Sequence, residues 1–529
     1  MRKSKGLIPI LTAAILLLST FLSGCSTATS PASPSAPAKS ESPFLETSIQ
    51  DLQKGLSEGK YTSEEIVRFY LDRIEKYDKQ GPKLNSVILV NPKAIEEAKA
   101  LDQERKSKGA RGPLHGIPIV LKDNFDTADM PTSGANKAMA KSQPLKDAFL
   151  TKKLRDAGAI IIAKVNLHEL ARAGTTMSSL AGQTLNPYDL TRTPGGSSGG
   201  TATAVAANFA VAGMGSDTVN SVRSPSSAES LVGVRPTYGL LSRTGIIPAA
   251  LTQDMAGPIT RSVADAAVLL NILAGVDPSD KITAAAQGHI PSDYSAFLKK
   301  DGLKGKRLGV VKAIVGQDPE VTKVFNKALE DMKTQGAEII YIDDPNFDTK
   351  KISAECDVQV WESNPNLDDY FKTLGPNAPI HNSKELMESG TLDKSIQKLI
   401  NDSQALMPNN LKDPKYKKAL ENGAALRELV KKTMDDNKLD AFVYPHQQVL
   451  VAKIADGGQP GRNGILASIA QTPAITVPSG FSTPDTNAPQ GVPIGVEFMG
   501  RQWSEPTLVE IAYAYEQATH HHKPPKVTP

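Results

Sequence analysis

The sequence predicts an α/β protein: a central mixed, mostly parallel β-sheet covered by helices on both faces. Three observations predict it. From Phe44 to about Ser279, apolar runs of strand length alternate with segments of helical periodicity. Several of these runs are apolar at nearly every position, as strands buried on both faces are. After a charged, mostly helical stretch, the chain returns to strand-like runs near its end. With 529 residues, 40% hydrophobic and 22% charged, the composition is globular and excludes a mostly disordered chain.

The elements follow in order. Arg2, Lys3 and Lys5 form a positive start, and an apolar run from Leu7 to Leu22 leads into Leu22-Ser23-Gly24-Cys25. The run is short for a retained span of about 20 residues. Small residues before a cysteine resemble a bacterial lipoprotein signal, with residues 1–24 removed and Cys25 lipidated. An ordinary secretory signal with an incidental cysteine is the alternative. Residues 25–44 then read as a lipid-anchored Ser/Ala/Pro-rich tether that cannot bury a core. At about 3 Å per residue it could hold a folded domain several nanometres from a bilayer, on its extracytoplasmic face. Helical periodicity runs through residues 63–77, where Thr62 and Glu65 fit a capping box, and through 91–106, with Asn91 as the expected cap. Strand-like runs fall at 86–90, 116–122, 159–165 and 209–215. Residues 280–438 are charged and mostly helical, with strand candidates at 307–311 and 337–343. Strand-like runs return at 441–445, 473–478 and 495–499, and an amphipathic helix spans 506–519. This reads as one large core over residues 45–525, in three parts: 45–279, 280–438 and 439–525. His520-His521-His522 reads as a solvated helix end, with a tag remnant or a metal patch as alternatives.

Charge and cysteine content narrow the function. The formal net charge is +3, and Arg2, Lys3 and Lys5 account for the whole excess. A chain without that leader is neutral and has no bulk basic field for nucleic acid. Two cysteines cannot build a disulfide framework or a zinc cluster. The eight histidines show no metal-ligand spacing, so no metal and no cofactor is expected.

Three segments carry chemistry. In residues 112–127, Lys122 ends an apolar strand and is followed by Asp123 and Asn124. A lysine there either snorkels to the surface or is buried, and then it must be paired or deprotonated. Gly195-Gly196-Ser197-Ser198-Gly199-Gly200 precedes an Ala-rich helix. Its glycines let backbone approach a bound group, and the helix start could offer N–H donors. It also satisfies G-x-S-x-G with Ser198 in the middle, a nucleophile elbow that would need a downstream acid and one of His289, His381 or His446. A second serine cluster follows a strand: Gly215-Ser216-Asp217-Thr218-Val219-Asn220-Ser221.

Together these segments resemble the amidase signature family. The resemblance extends through residues 233–248, 254–258 and 261–270 and covers most of 50–275, with the C-terminal half matching more loosely. It implies an amidase-signature fold and an amidase hydrolysing carbon–nitrogen bonds of linear amides, releasing an acid and ammonia or an amine. It implies Ser221 as the nucleophile that forms an acyl-enzyme, Ser197 as a bridging serine held by a cis peptide, and Lys122 as the base. It places an oxyanion hole on the backbone of Thr218, Val219, Asn220 and Ser221. Many relatives carry glycine or Asp-Gly where this chain has Val219-Asn220. Asparagine tolerates positive φ, so Asn220 is expected to take the glycine's place, and Val219 to narrow the acyl pocket. Weaker expectations are substrate contacts at Thr175, Thr176 and Met177 and a polar pocket wall or internal cap at Asp254. The AGQTLNPY run (181–188) is similar to that of peptide amidase and is expected to position the GGSSGG loop. Arg223 is expected to pair internally.

Other readings share parts of this pattern. A substrate-binding lipoprotein would share the anchor and the α/β content but would not need the three segments. A catalytically inactive relative would keep the fold. A penicillin-binding-like acyltransferase could use Ser395-x-x-Lys398 with Arg243-Thr244-Gly245, in reversed order. An amidotransferase component working on aminoacyl-tRNA fits poorly with an export signal and a neutral chain. Small-molecule or peptide amides are the expected substrates.

Overall fold

The computed structural model describes residues 42–529; the expected leader, Cys25 and residues 26–41 of the expected tether lie outside the described residues. Helices α1 (Ile49–Ser57), α2 (Ser63–Arg73) and α3 (Ala94–Lys108) open the domain. Thr62 and Glu65 form the expected capping box at the start of α2. Beyond Arg73 the helix widens into a π turn, Ile74–Lys79. Asn91 does not cap α3. Its Oδ1 accepts from the Lys93 amide at 2.8 Å, so it shapes the turn just before the helix.

The described residues hold thirteen strands, and all but β4, β5, β7 and β8 fall on the expected apolar runs: β1 (Val87–Val90), β2 (Pro118–Lys122), β3 (Ile160–Val165), β4 (Met177–Ser178), β5 (Gly182–Gln183), β6 (Ala212–Asp217), β7 (Val232–Arg235), β8 (Met255–Thr260), β9 (Arg307–Val311), β10 (Glu338–Ile342), β11 (Ala441–Pro445), β12 (Ala474–Phe481) and β13 (Pro493–Met499). Strands β4 and β5 form a small separate hairpin. The other eleven form one sheet in the order β1-β3-β2-β6-β8-β7-β12-β13-β11-β9-β10. The sheet is mixed. Parallel pairs lie in two blocks, β3-β2-β6 and β11-β9-β10, and all other neighbours are antiparallel. The antiparallel share exceeds what helix–strand alternation suggests, because β6, β8 and β7 pair without full helical crossovers between them. β2, β3, β6, β7 and β8 are buried at every position, consistent with cover on both faces. The run expected at 209–215 appears three residues later, at Ala212–Asp217, after a turn in which Asn208 has φ 57°.

The later helices are α4 (Phe149–Asp156), α5 (Gly199–Ala206), α6 (Arg223–Ala228), α7 (Val263–Leu273), α8 (Pro319–Thr334), α9 (Thr349–Cys356), α10 (Gln359–Phe371), α11 (Ser383–Glu388), α12 (Lys394–Leu406), α13 (Pro414–Asp436), α14 (Ile465–Ala470) and α15 (Glu505–Thr519). Residues Pro43–Pro529 form one compact unit. The charged middle of the chain is thus not a separate body: β9 and β10 extend the sheet at one edge. From α10 to α12, Leu367, Phe371, Leu386 and Ile400 pack with Leu170 and Ile247 in one apolar cluster. That cluster seats the helical segment against the loops that follow β3 and precede β8.

Candidate active site

Lys122 is the last residue of β2 and is completely buried. The parallel register of β2 against β6 sets Leu121 opposite Met214, which brings the lysine to Ser216. Its Nζ donates to Ser197 Oγ at 2.7 Å, to Ser216 Oγ at 2.8 Å and to the Ser216 carbonyl at 3.2 Å. Asn124 Nδ2 donates to the same Ser216 hydroxyl at 3.0 Å. Burial pushes the Lys122 pKa down to about 7, although Asp217 and Asp254 pull it the other way. The snorkelling alternative is therefore removed.

The GGSSGG loop crosses the end of this strand pair. The Gly196–Ser197 peptide is cis. Thr176 Oγ1 donates to the Gly195 carbonyl at 2.8 Å and accepts from the Gly199 amide at 3.1 Å. Thr176 is in turn held from the AGQTLNPY run, whose Thr184 amide donates to the Thr176 carbonyl at 3.1 Å. Gln183 Nε2 also donates to the Thr175 carbonyl at 2.6 Å. Thr175 Oγ1 lies 3.2 Å from His168 Nδ1, and Met177 enters the β4–β5 hairpin. Thr176 and its neighbours thus brace the loop, as the AGQTLNPY resemblance leads one to expect.

Ser198, at the start of α5, is fully buried and donates through Oγ to the Ser216 carbonyl at 3.1 Å. No histidine bonds to it among the described residues. His446 bonds Glu497, His381 bonds Glu385, and His289 stacks on Trp503. The nucleophile-elbow reading has no geometry here. The start of α5 is not a free anion site either, because the Ser198 and Gly199 amides are occupied by the Ser221 carbonyl and by Thr176. Ser395 contacts Asp393 and lies 2.7 Å from His168 Nε2, while Lys398 pairs with Asp402. The S-x-x-K reading fails with it.

The segment from Asp217 to Ser221 is fixed by buried charge. Asp217 receives Arg223 at 3.0 Å and Arg235 at 2.9 Å, and the two guanidiniums hold its carboxyl well below the usual range despite burial. Arg223 also reaches Glu497 at 2.6 Å, so it pairs internally as expected. Four successive carbonyls of the turn are tied back. Thr218 accepts from Ser468, Val219 from Arg223 at 2.8 Å, Asn220 from the Ser224 amide at 2.7 Å, and Ser221 from the Ser198 amide at 3.1 Å. Among the described residues, the amides of Val219, Asn220 and Ser221 have no acceptor, and the Ser221 hydroxyl makes no hydrogen bond.

Two expectations about this turn are corrected. Asn220 does not adopt positive φ. It fits because residue 464 is glycine: a Cβ there would lie 2.5 Å from the Asn220 Cβ. Its amide is buried, with neither polar atom hydrogen-bonded. Val219 does not line the small cavity beside Ser216; it belongs to the apolar cluster of Phe442, Ile465 and Leu466. The small cavity beside Ser216 is lined instead by Thr218, Ile247, Ala249, Leu251 and Asp254. Asp254 accepts from Thr218 Oγ1 at 2.6 Å and from the Ala249 and Ala250 amides at 2.7 and 3.0 Å. It is both a cap for that turn and a wall of the cavity. Ser216 and Asn124 were not singled out from sequence, since their contact with Lys122 follows from strand register.

Comparison with known proteins gives the geometry a family. A family model described as Amidase matches residues 65–509. A peptide amidase from Stenotrophomonas maltophilia has 36% identity and a TM-score of 0.82, covering 92% of this chain and 100% of that one. A probable amidase of Arabidopsis thaliana is 34% identical over 504 residues, 91% of each chain. A glutamyl-tRNA(Gln) amidotransferase subunit from Alkaliphilus metalliredigens is 35% identical over 488 residues, 89% of this chain and 96% of its own. The chain belongs to the amidase signature family.

Proposed function

We propose that the protein hydrolyses a carboxylic amide through an acyl-enzyme on Ser221, with Ser197 bridging to Lys122 as the base. The observation that carries this reading is a fully buried lysine, with burial shifting it toward neutrality, hydrogen-bonded to Ser197 beside an unengaged Ser221. Neutral Lys122 takes the Ser197 proton as Ser197 takes that of Ser221, because a hydroxyl both donates and accepts. Ser221 Oγ bonds to the amide carbon, and the carbonyl oxygen becomes an oxyanion facing the open amides of Val219, Asn220 and Ser221, with Thr218 beside them. Such donors contribute about 3–4 kcal/mol each. The carbon–nitrogen bond then breaks, and the proton returns through Ser197 to the departing ammonia or amine. Water repeats the sequence on the ester and releases the acid. The steps need no metal, and activity is expected to survive a chelator.

The peptide amidase relative favours peptide or small-molecule amides over aminoacyl-tRNA, as does the charge balance. On this reading Cys25 is the lipidated first residue of the mature chain, anchoring it to the outer side of a bacterial membrane. Labelling with a palmitate analogue tests the anchor: incorporation should vanish in Cys25→Ser. The hydrolase reading is tested with a fluorophosphonate, which should label wild type and leave Ser221→Ala unlabelled. Equal labelling of the two would refute the assignment and favour a binding lipoprotein or an inactive relative.

A further inference from the structure

Arg462 sits in the loop between β11 and α14, close to both serine loops. Two residues on, Gly464 lies against the nucleophile turn: a Cβ built there would stand 3.1 Å from the Val219 carbonyl oxygen. On the other side, a Cβ at Gly174 would stand 3.7 Å from Arg462 Nη1 and 4.0 Å from the Gly196 carbonyl oxygen. The guanidinium and the Gly196 carbonyl, whose peptide carries Ser197, therefore both border the space at Gly174. Arg462 is only partly exposed, and burial lowers its pKa. Among the described residues its guanidinium makes no hydrogen bond and no ion pair. Other buried arginines of this region have partners within the chain. Arg223 and Arg235 hold Asp217, and Arg172 bonds Ser363 and the Leu170 and Pro248 carbonyls. The neighbouring acid, Asp357, is engaged by Gln359 at 2.8 Å. A partly buried guanidinium presents a fork of donors that matches a carboxylate.

We infer that Arg462 recognises a carboxylate carried by the amide substrate, which makes the preferred substrate an anionic amide. This rests on the hydrolase reading above, and it names the substrate class of that same site.

The test uses the full-length chain carrying Ser221→Ala, which binds without turnover. Calorimetry compares glutaramate with its methyl ester, for a charge on the acyl side, and N-acetylglycine with its methyl ester, for a charge on the amine side. At least one acid is expected to bind about 10- to 100-fold more tightly than its ester, the range of a charge-assisted contact. Adding Arg462→Gln should erase that difference and leave ester binding unchanged, while Arg462→Lys should retain part of it. The side chain has no internal partner, so its replacement should leave the melting temperature near that of the parent. Equal binding of acid and ester, absence of acid binding, or a preference that survives Arg462→Gln overturns the inference. If the binding pattern holds while the chain with Ser221 intact releases no ammonia or amine, recognition stands and the hydrolase reading falls.

Discussion

A buried lysine with three oxygen acceptors and no ion-paired carboxylate carries its function in its protonation state. In the proposed mechanism Lys122 must be neutral to accept a proton, and burial brings its pKa down to about 7. Turnover and fluorophosphonate labelling should therefore fall about tenfold per pH unit below 7 and level off above it. A limb centred near the ordinary lysine value of about 10.4 would show that burial does not hold the base neutral. Lys122→Ala should lower labelling by about 10²- to 10⁴-fold at neutral pH. Ser198→Ala should do much less, since that hydroxyl only ties the loop to the Ser216 carbonyl. A trapped acyl group mapped to Ser198 would reverse the assignment. The segments that hold Lys122, Ser197 and Ser221 stand out in the sequence as an apolar run, a glycine-rich loop and a serine cluster. The roles expected of the three residues come from the family resemblance, since the local pattern alone left a snorkelling lysine and Ser198 open. Ser216 and Asn124 were not legible, because the contact that matters runs between strands. Arg462 left no signal at all: a recognition residue whose partner is the substrate has nothing in the chain to pair with.

At the scale of elements, the serine loops depend on close backbone approach. A Cβ at Gly200, in the first turn of α5, would lie 2.2 Å from the Asn166 carbonyl oxygen and 2.6 Å from its amide nitrogen, both backbone atoms. Gly200→Ala should therefore displace α5 or the residues after β3, destabilise by about 1–3 kcal/mol and abolish Ser221 labelling. Gly458→Ala meets nothing within 4 Å and serves as the control, with melting temperature and labelling unchanged. An unaffected Gly200→Ala protein would mean that α5 is not packed against Asn166 as described. Most strands were legible from apolar runs to within a few residues. β7 and β8 were not read as strands. One is only four residues long, and the other, Met255–Thr260, contains Gly257 and Pro258, which read as turn residues until neighbours on both sides bury them. Strand direction was less legible still, since an alternation of periods does not encode which neighbour a short strand pairs with.

Over the whole molecule, the chain end closes onto the first helices. Arg73 donates to the Pro529 and Thr528 carbonyls at 3.0 and 2.7 Å, and Tyr77 reaches the Pro529 carbonyl at 2.9 Å. Tyr188 bonds the Lys523 carbonyl at 2.5 Å, and His522 meets Glu46 at 2.6 Å. His522 is thus a structural latch, where a solvated helix end was expected. These contacts join segments from both ends of the chain, so deletion of residues 520–529 leaves Arg73 with fewer acceptors and Glu46 without its histidine. The truncated protein should lose at least about 3 kcal/mol, read as a lower denaturation midpoint, while Ser221 labelling in the remaining folded fraction persists. The Glu46 part has a signed pH dependence. Burial opposes its ionisation, but the His522 bond and the Arg261 charge prevail and lower its pKa to about 2. A depressed carboxyl contributes stability that is fully present above its unfolded value of about 4.3 and is lost as pH falls toward 2. The gap in melting temperature between wild type and Glu46→Gln should therefore be widest near neutral pH and shrink below about pH 4. A gap that stays constant down to pH 3 would mean that the carboxylate's charge contributes nothing to the latch and that only its shape does.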